Sequence, residues 1–126
     1  MTFPTVRPRR LRMRDALRRT VAETRLAPSQ MVLPVFVVDG EDVRRPIESM
    51  PGHSQLSVDQ VVLVAKEAES LGAAGMLFFG VPSHKDESGS SAWDPAGPVP
   101  RAIEAVADAA PELVRWADVC LCEYTS

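Results

Sequence analysis

Two thiols and a carboxylate alternate in Asp118-Val119-Cys120-Leu121-Cys122-Glu123-Tyr124-Thr125-Ser126. Successive side chains of a strand point to opposite faces. As a buried strand, this segment puts Asp118, Cys120 and Cys122 on one face and Ala117, Val119 and Leu121 on the other. The first face packs poorly as core and suits a metal or a polar ligand. Thiolate is a soft donor that zinc takes at about 2.3 Å in a tetrahedral site. Cys-x-Cys alone is a weak signal, and a third ligand would be expected just beyond Ser126. His53 and His84 are the other imidazole donors. Nothing in the sequence brings either near the pair, and both read as structural or loop residues.

A disulfide between the two cysteines is disfavoured. Side chains at i and i+2 of a strand run parallel, roughly 6–7 Å apart. The chain has 2 cysteines in all, so no disulfide framework exists within it. A reducing, cytoplasmic compartment is the natural reading.

Those residues must be held by something, and the composition says what kind of body holds them. Of 126 residues, 45% are hydrophobic and 25% charged, typical of a globular domain or part of one. No apolar run is long enough for a membrane span. The net charge of −3 conceals a split. Residues 1–25 carry eight arginines against Asp15 and Glu23, while the remainder is strongly acidic. This predicts a basic N-terminal arm, residues 1–28, on an acidic body, residues 29–126. No aromatic residue interleaves with the arginines, so no base-stacking platform for nucleic acid is visible. No apolar h-region marks a secretory signal. By charge, the arm is either solvated or docked on the body of a neighbouring copy.

Three nearly continuous apolar runs predict buried parallel strands: Met31–Val38, Ala74–Gly80 and Leu113–Cys122. Pro34 fits better on an edge strand or at a bulge. Between the strands, residues 58–71 repeat apolar positions at helical spacing, with Ser57 and Gln60 in capping-box form and Gly72 as terminator. Residues 99–110 give a second helix, with Pro98 and Pro100 in its first turn and Pro111 at its end. Pro100 could distort it. Alternating strands and helices predict an α/β fold with a parallel sheet. The stretches Asp39–Ser57 and Val81–Gly97 are predicted long loops after strand C-terminal ends, where α/β proteins place their sites. The second is dense in polar residues, including Lys85, Asp86 and Glu87, which read by default as a solvated run. Strand centres recur about 41 residues apart, so eight such units plus an arm would need about 330 residues. The expectation is an incomplete TIM (β/α)8 barrel: three strands and two helices behind an extended arm. Asp39-Gly40-Glu41-Asp42 is too acidic for a phosphate-binding turn.

Several blocks resemble porphobilinogen synthase, the delta-aminolevulinic acid dehydratase family, in family order. They are Arg7–Arg12 with Glu23–Leu26, Val32–Val37, Ile47–Gly52, Phe79-Gly80 with Lys85–Glu87 and Gly89, Ala92–Asp94, and Asp118–Thr125. The last is the most specific. The resemblance covers the family's N-terminal third. It implies a βα barrel, an arm that wraps a neighbouring subunit, usually in a homo-octamer, and condensation of two 5-aminolevulinate molecules to porphobilinogen for haem and other tetrapyrroles. It implies that Cys120 and Cys122 are two of three zinc cysteines, and that Asp118 is the active-site carboxylate near the substrate Schiff base. Magnesium is a further metal of full-length members. It also implies Schiff-base lysines on later strands. Lys66 and Lys85 match neither lysine motif, and neither has the buried or cation-rich setting such a lysine requires. The chain alone is therefore expected to be inactive. The alternative is a non-catalytic product that docks on full-length subunits and modulates their assembly. His53 departs from the aliphatic residue more usual after Gly52.

Overall fold

The computed structural model describes residues 9–126. The start of the arm, including Arg7 and Pro8, lies outside the described residues.

The predicted first strand is β1, Val32–Val37, and the second is β4, Gly75–Gly80. They pair in parallel over six positions, Val32 beside Gly75 through Val37 beside Gly80. The third is β5, Val114–Ala117, parallel to β4. Two short strands were hidden in the expected loop 39–57: β2, Arg44–Pro46, and β3, Ser54–Leu56. They form an antiparallel hairpin, and β3 joins β1 in parallel at Phe36 and Val37. The sheet therefore has five strands, in the order β2-β3-β1-β4-β5.

This order explains Pro34 on a central strand. The Val38 N–H donates to Leu56 of β3, while the Val37 carbonyl accepts from Val81 on the β4 side. Alternation then turns the missing donor of Pro34 toward β3. Pairing with β3 begins only at Phe36, so Pro34 lies on a locally open edge and leaves no ladder bond unmade.

Helix α1, Asp15–Thr20, belongs to the basic segment, where every side chain from Arg9 to Leu26 is exposed. Arg18 pairs with Asp15 there. Helices α2, Val58–Ser70, and α3, Pro98–Ala109, both lie on one face of the sheet. Val61, Ala65 and Ala68 of α2 and Val99, Ala102 and Val106 of α3 close over Val35, Val37, Met76 and Phe78. The alternate residues Pro34, Phe36, Leu77 and Phe79 face the other way and are only partly covered. Phe36 and Phe79 stack there with ring centroids 5.4 Å apart.

The helix ends follow the sequence signals in part. After α2, the Ala73 N–H reaches the Ala68 carbonyl and the Gly72 N–H reaches Glu69, with Gly72 at φ +76°. This is the Schellman arrangement, which an L side chain at Gly72 would strain. The capping box of Ser57 and Gln60 does not form. The buried Ser57 hydroxyl instead accepts from the Val43 N–H at 2.9 Å, joining α2 to the end of the β2–β3 hairpin. Gln60 turns to Asp42 at 2.9 Å. A tertiary contact has replaced a local cap. Pro98 and Pro100 sit in the first turn of α3, where their missing N–H groups cost nothing, and α3 continues without a break.

Candidate metal and active site

The third predicted strand ends five residues early. Its ladder with β4 stops at Ala117 beside Phe78, with one further bond from the Asp118 N–H to the Phe78 carbonyl at 3.1 Å. Beyond it, Leu121–Glu123 form a 3-10 turn, closed by the Tyr124 and Thr125 N–H groups on the Leu121 carbonyl at 2.9 and 3.0 Å. The expected alternation of Asp118, Cys120 and Cys122 against Ala117, Val119 and Leu121 is therefore corrected. Val119 is 88% exposed and Leu121 50%, and neither forms an apolar inner face. A strand needs a ladder, and β4 ends at Gly80, where the Tyr124 phenol lies against the backbone. A Cβ on Gly80 would overlap that ring. Tyr124 is buried there.

The turn still brings the predicted residues together. Cys120 and Cys122 are both free and exposed, two residues apart at the same turn. The Cys122 thiol is pushed up first by the Cys120 side chain, then by burial and by the nearby charges of Cys120, Glu123 and Asp118. The Glu123 carboxyl is raised by burial and by Asp118, against a bond from the Gly80 backbone and the charge of Lys85, which lower it. Tyr124 is raised by burial and by the same two carboxylates. One Glu123 carboxylate oxygen is buried with no hydrogen-bond partner. Two thiols and two carboxylates thus follow one another from Asp118 to Glu123, just past the C-terminal end of β5. Asp118, Cys120 and Leu121 also line a cleft against Pro98 and Ile103 of α3.

Such a donor set suits a soft divalent cation better than an anion. It fits zinc as part of a site: two adjacent thiolates, with further ligands needed. Among the described residues, no group of three His, Cys, Asp or Glu side chains converges tightly enough to hold a metal by itself. His53 lies at the opposite end of the sheet, near Leu33 and Pro34. His84 is exposed on the loop after β4, where its carbonyl accepts from Ser91 at 3.5 Å.

Asp86, read from the sequence as part of a solvated run, is tied down instead. Its carboxylate is no solvated bystander: it accepts from the Ser88 N–H at 2.9 Å, the Ser88 hydroxyl at 2.8 Å, the Ser90 N–H at 3.0 Å and the Ser90 hydroxyl. These bonds, Ser90 first, hold its carboxyl far below the usual range. The Asp-x-Ser-x-Ser spacing was the available signal, because Asp side chains often bond backbone N–H groups two residues on.

The delta-aminolevulinic acid dehydratase family model matches residues 5–126. This chain belongs to that family. A delta-aminolevulinic acid dehydratase of Synechococcus elongatus is 49% identical over 123 residues, covering 98% of this chain and 38% of the relative. One from Ruminiclostridium josui is 38% identical over 120 residues, covering 95% of this chain and 58% of the relative. The crystal structure of delta-aminolevulinic acid dehydratase (porphobilinogen synthase) from Toxoplasma gondii ME49, in complex with the reaction product porphobilinogen, matches with a TM-score of 0.87 at 37% identity. It covers 96% of this chain and 35% of that one. The chain thus spans about 38% of the length of the cyanobacterial dehydratases it matches. Among the described residues, no helix is long and apolar enough to cross a membrane.

Proposed function

We propose that this chain is the N-terminal segment of a zinc-dependent porphobilinogen synthase, which condenses two 5-aminolevulinate molecules to porphobilinogen in the cytoplasm. The observation that carries the reading is the single short turn after β5 that carries Cys120 and Cys122, with Asp118 just before it, in a chain of this family.

The sheet is the first part of a TIM (β/α)8 barrel. Both long helices lie on one face, and the partly covered face with Phe36 and Phe79 becomes barrel interior. Edge strand β5 leaves Val114 49% and Trp116 40% exposed, and the next strand of the barrel pairs there. The exposed arginines of the arm dock on the acidic body of a neighbouring subunit in a homo-oligomer, an octamer by family resemblance.

Cys120 and Cys122 hold the zinc together with a third cysteine from outside this segment. When bound, zinc would supply Lewis-acid polarisation of a substrate oxygen. Asp118 places a carboxylate beside the pair, where it favours a protonated substrate nitrogen. Lys66 and Lys85 are both exposed, so neither has the buried setting of a Schiff-base nucleophile. The segment positions substrate and metal, and the imine-forming amines come from later strands.

The test is complementation. The chain is assayed with 5-aminolevulinate alone, and again co-expressed with the remaining barrel of the Synechococcus elongatus relative. Porphobilinogen is expected only from the combination. Formation by the chain alone would overturn the division of labour, and no formation by a soluble co-purified combination would overturn the family activity for this segment.

A further inference from the structure

Backbone hydrogen bonds join the loop Val81–Gly97 to the cysteine turn at Asp86. The Asp86 N–H donates to the Tyr124 carbonyl at 3.4 Å, and its carbonyl accepts from the Ser126 N–H at 3.2 Å and the Gly89 N–H at 3.1 Å. Asp86 and Thr125 form a parallel bridge outside the sheet. A Cβ built on Gly89 would fall 3.2 Å from the Thr125 methyl. The carboxylate of the same residue gathers both Ser88 and Ser90 through backbone and hydroxyl. Asp86 therefore fixes its own loop with its side chain and the residues after Cys122 with its backbone.

The turn has few other ties. Val119, Cys120, Leu121 and Cys122 are all exposed, and no ladder bond reaches them. The Tyr124 ring on Gly80 anchors one side of the turn, and the Asp86 bridge anchors the other. A two-point anchorage fixes position and angle, and metal ligands depend on such outer partners for their geometry.

We infer that Asp86 is a positioning residue for the Cys120–Cys122 pair: it holds in place the turn from which both thiols would ligate one metal ion. The inference takes its significance from the reading of the pair as metal ligands, yet it stands on contacts independent of any metal.

The test uses Asp86→Ala, with Asp86→Asn as the conservative variant that keeps an acceptor for the Ser88 and Ser90 N–H groups. Two quantities are followed: amide hydrogen exchange across residues 121–126, and affinity for cadmium alone, read by thiolate-to-metal absorbance. Asp86→Ala is expected to speed exchange in the turn and weaken cadmium about tenfold, the lower end of what outer partners contribute. Asp86→Asn restores most of both. Unchanged exchange in the turn overturns the inference, as does faster exchange with cadmium affinity intact. Should Asp86→Ala fail to fold, Ser90→Ala removes one hydroxyl donor and is read by the same criteria. A wild-type chain that binds no cadmium contradicts the metal-ligand reading instead, and exchange in the turn then decides the role of Asp86 by itself.

Discussion

The Tyr124 phenol occupies the space that a side chain on Gly80 would need. The β4–β5 ladder stops before it, at Ala117, and the two cysteines lie outside the sheet. Gly80→Ala should displace the ring. Overpacking of this kind costs about 1–3 kcal/mol. Denaturant unfolding should show that loss, and Tyr124 should become more accessible. Unchanged stability would mean that the turn does not depend on this packing.

Phe78 is fully buried between the sheet and its helices. Phe78→Ala should cost about 3–5 kcal/mol by removing core contacts and leaving a cavity. Leu63 on α2 is 56% exposed, so Leu63→Ala should stay within about 0.5 kcal/mol. Denaturant midpoints for the two variants check the assignment of the helix-covered face as the core.

The Asp86 carboxyl is held far below its ordinary value, chiefly by Ser90 and then Ser88. A depressed folded value means the charged form stabilises the fold above the unfolded carboxylate value. That contribution disappears as pH falls through the folded value. Ser90→Ala weakens the shift, so its acid unfolding should begin at higher pH than wild type. Asp86→Asn should remove this part of the pH dependence. Circular dichroism against pH below about 4 reads both. Superimposable acid limbs would contradict the hydrogen-bond account.

The Cys122 thiol is raised first by its hydrogen bond with Cys120. Cys120→Ala removes that bond, so alkylation of Cys122 should rise with pH earlier than in wild type. The pH profile of iodoacetamide labelling at Cys122 measures this. An unmoved profile would mean that the thiols do not interact.

Much of this was legible in the sequence, for a physical reason. β1, α2, β4 and α3 bury long apolar faces, and such faces leave continuous runs or helical repeats. β2 and β3 do not: Arg44-Arg45-Pro46 is wholly exposed, and Ser54-Gln55-Leu56 buries only Leu56. The alternation from Ala117 to Cys122 resembled a strand, but a strand exists only beside a partner, and the pairing with β4 stops at Ala117. The pairing of thiols and carboxylate was legible because residue type and closeness in sequence sufficed. The role of Asp86 was not, because its partners at Tyr124 and Ser126 are distant along the chain and are met through the backbone, which carries no sequence signature.

The most direct test of the central claim is the zinc content of the complemented barrel after desalting, in wild type and in Cys120→Ser, Cys122→Ser and His53→Ala. Zinc should be retained in wild type and His53→Ala, and lost in either cysteine variant. Zinc retained in full by either cysteine variant would contradict it.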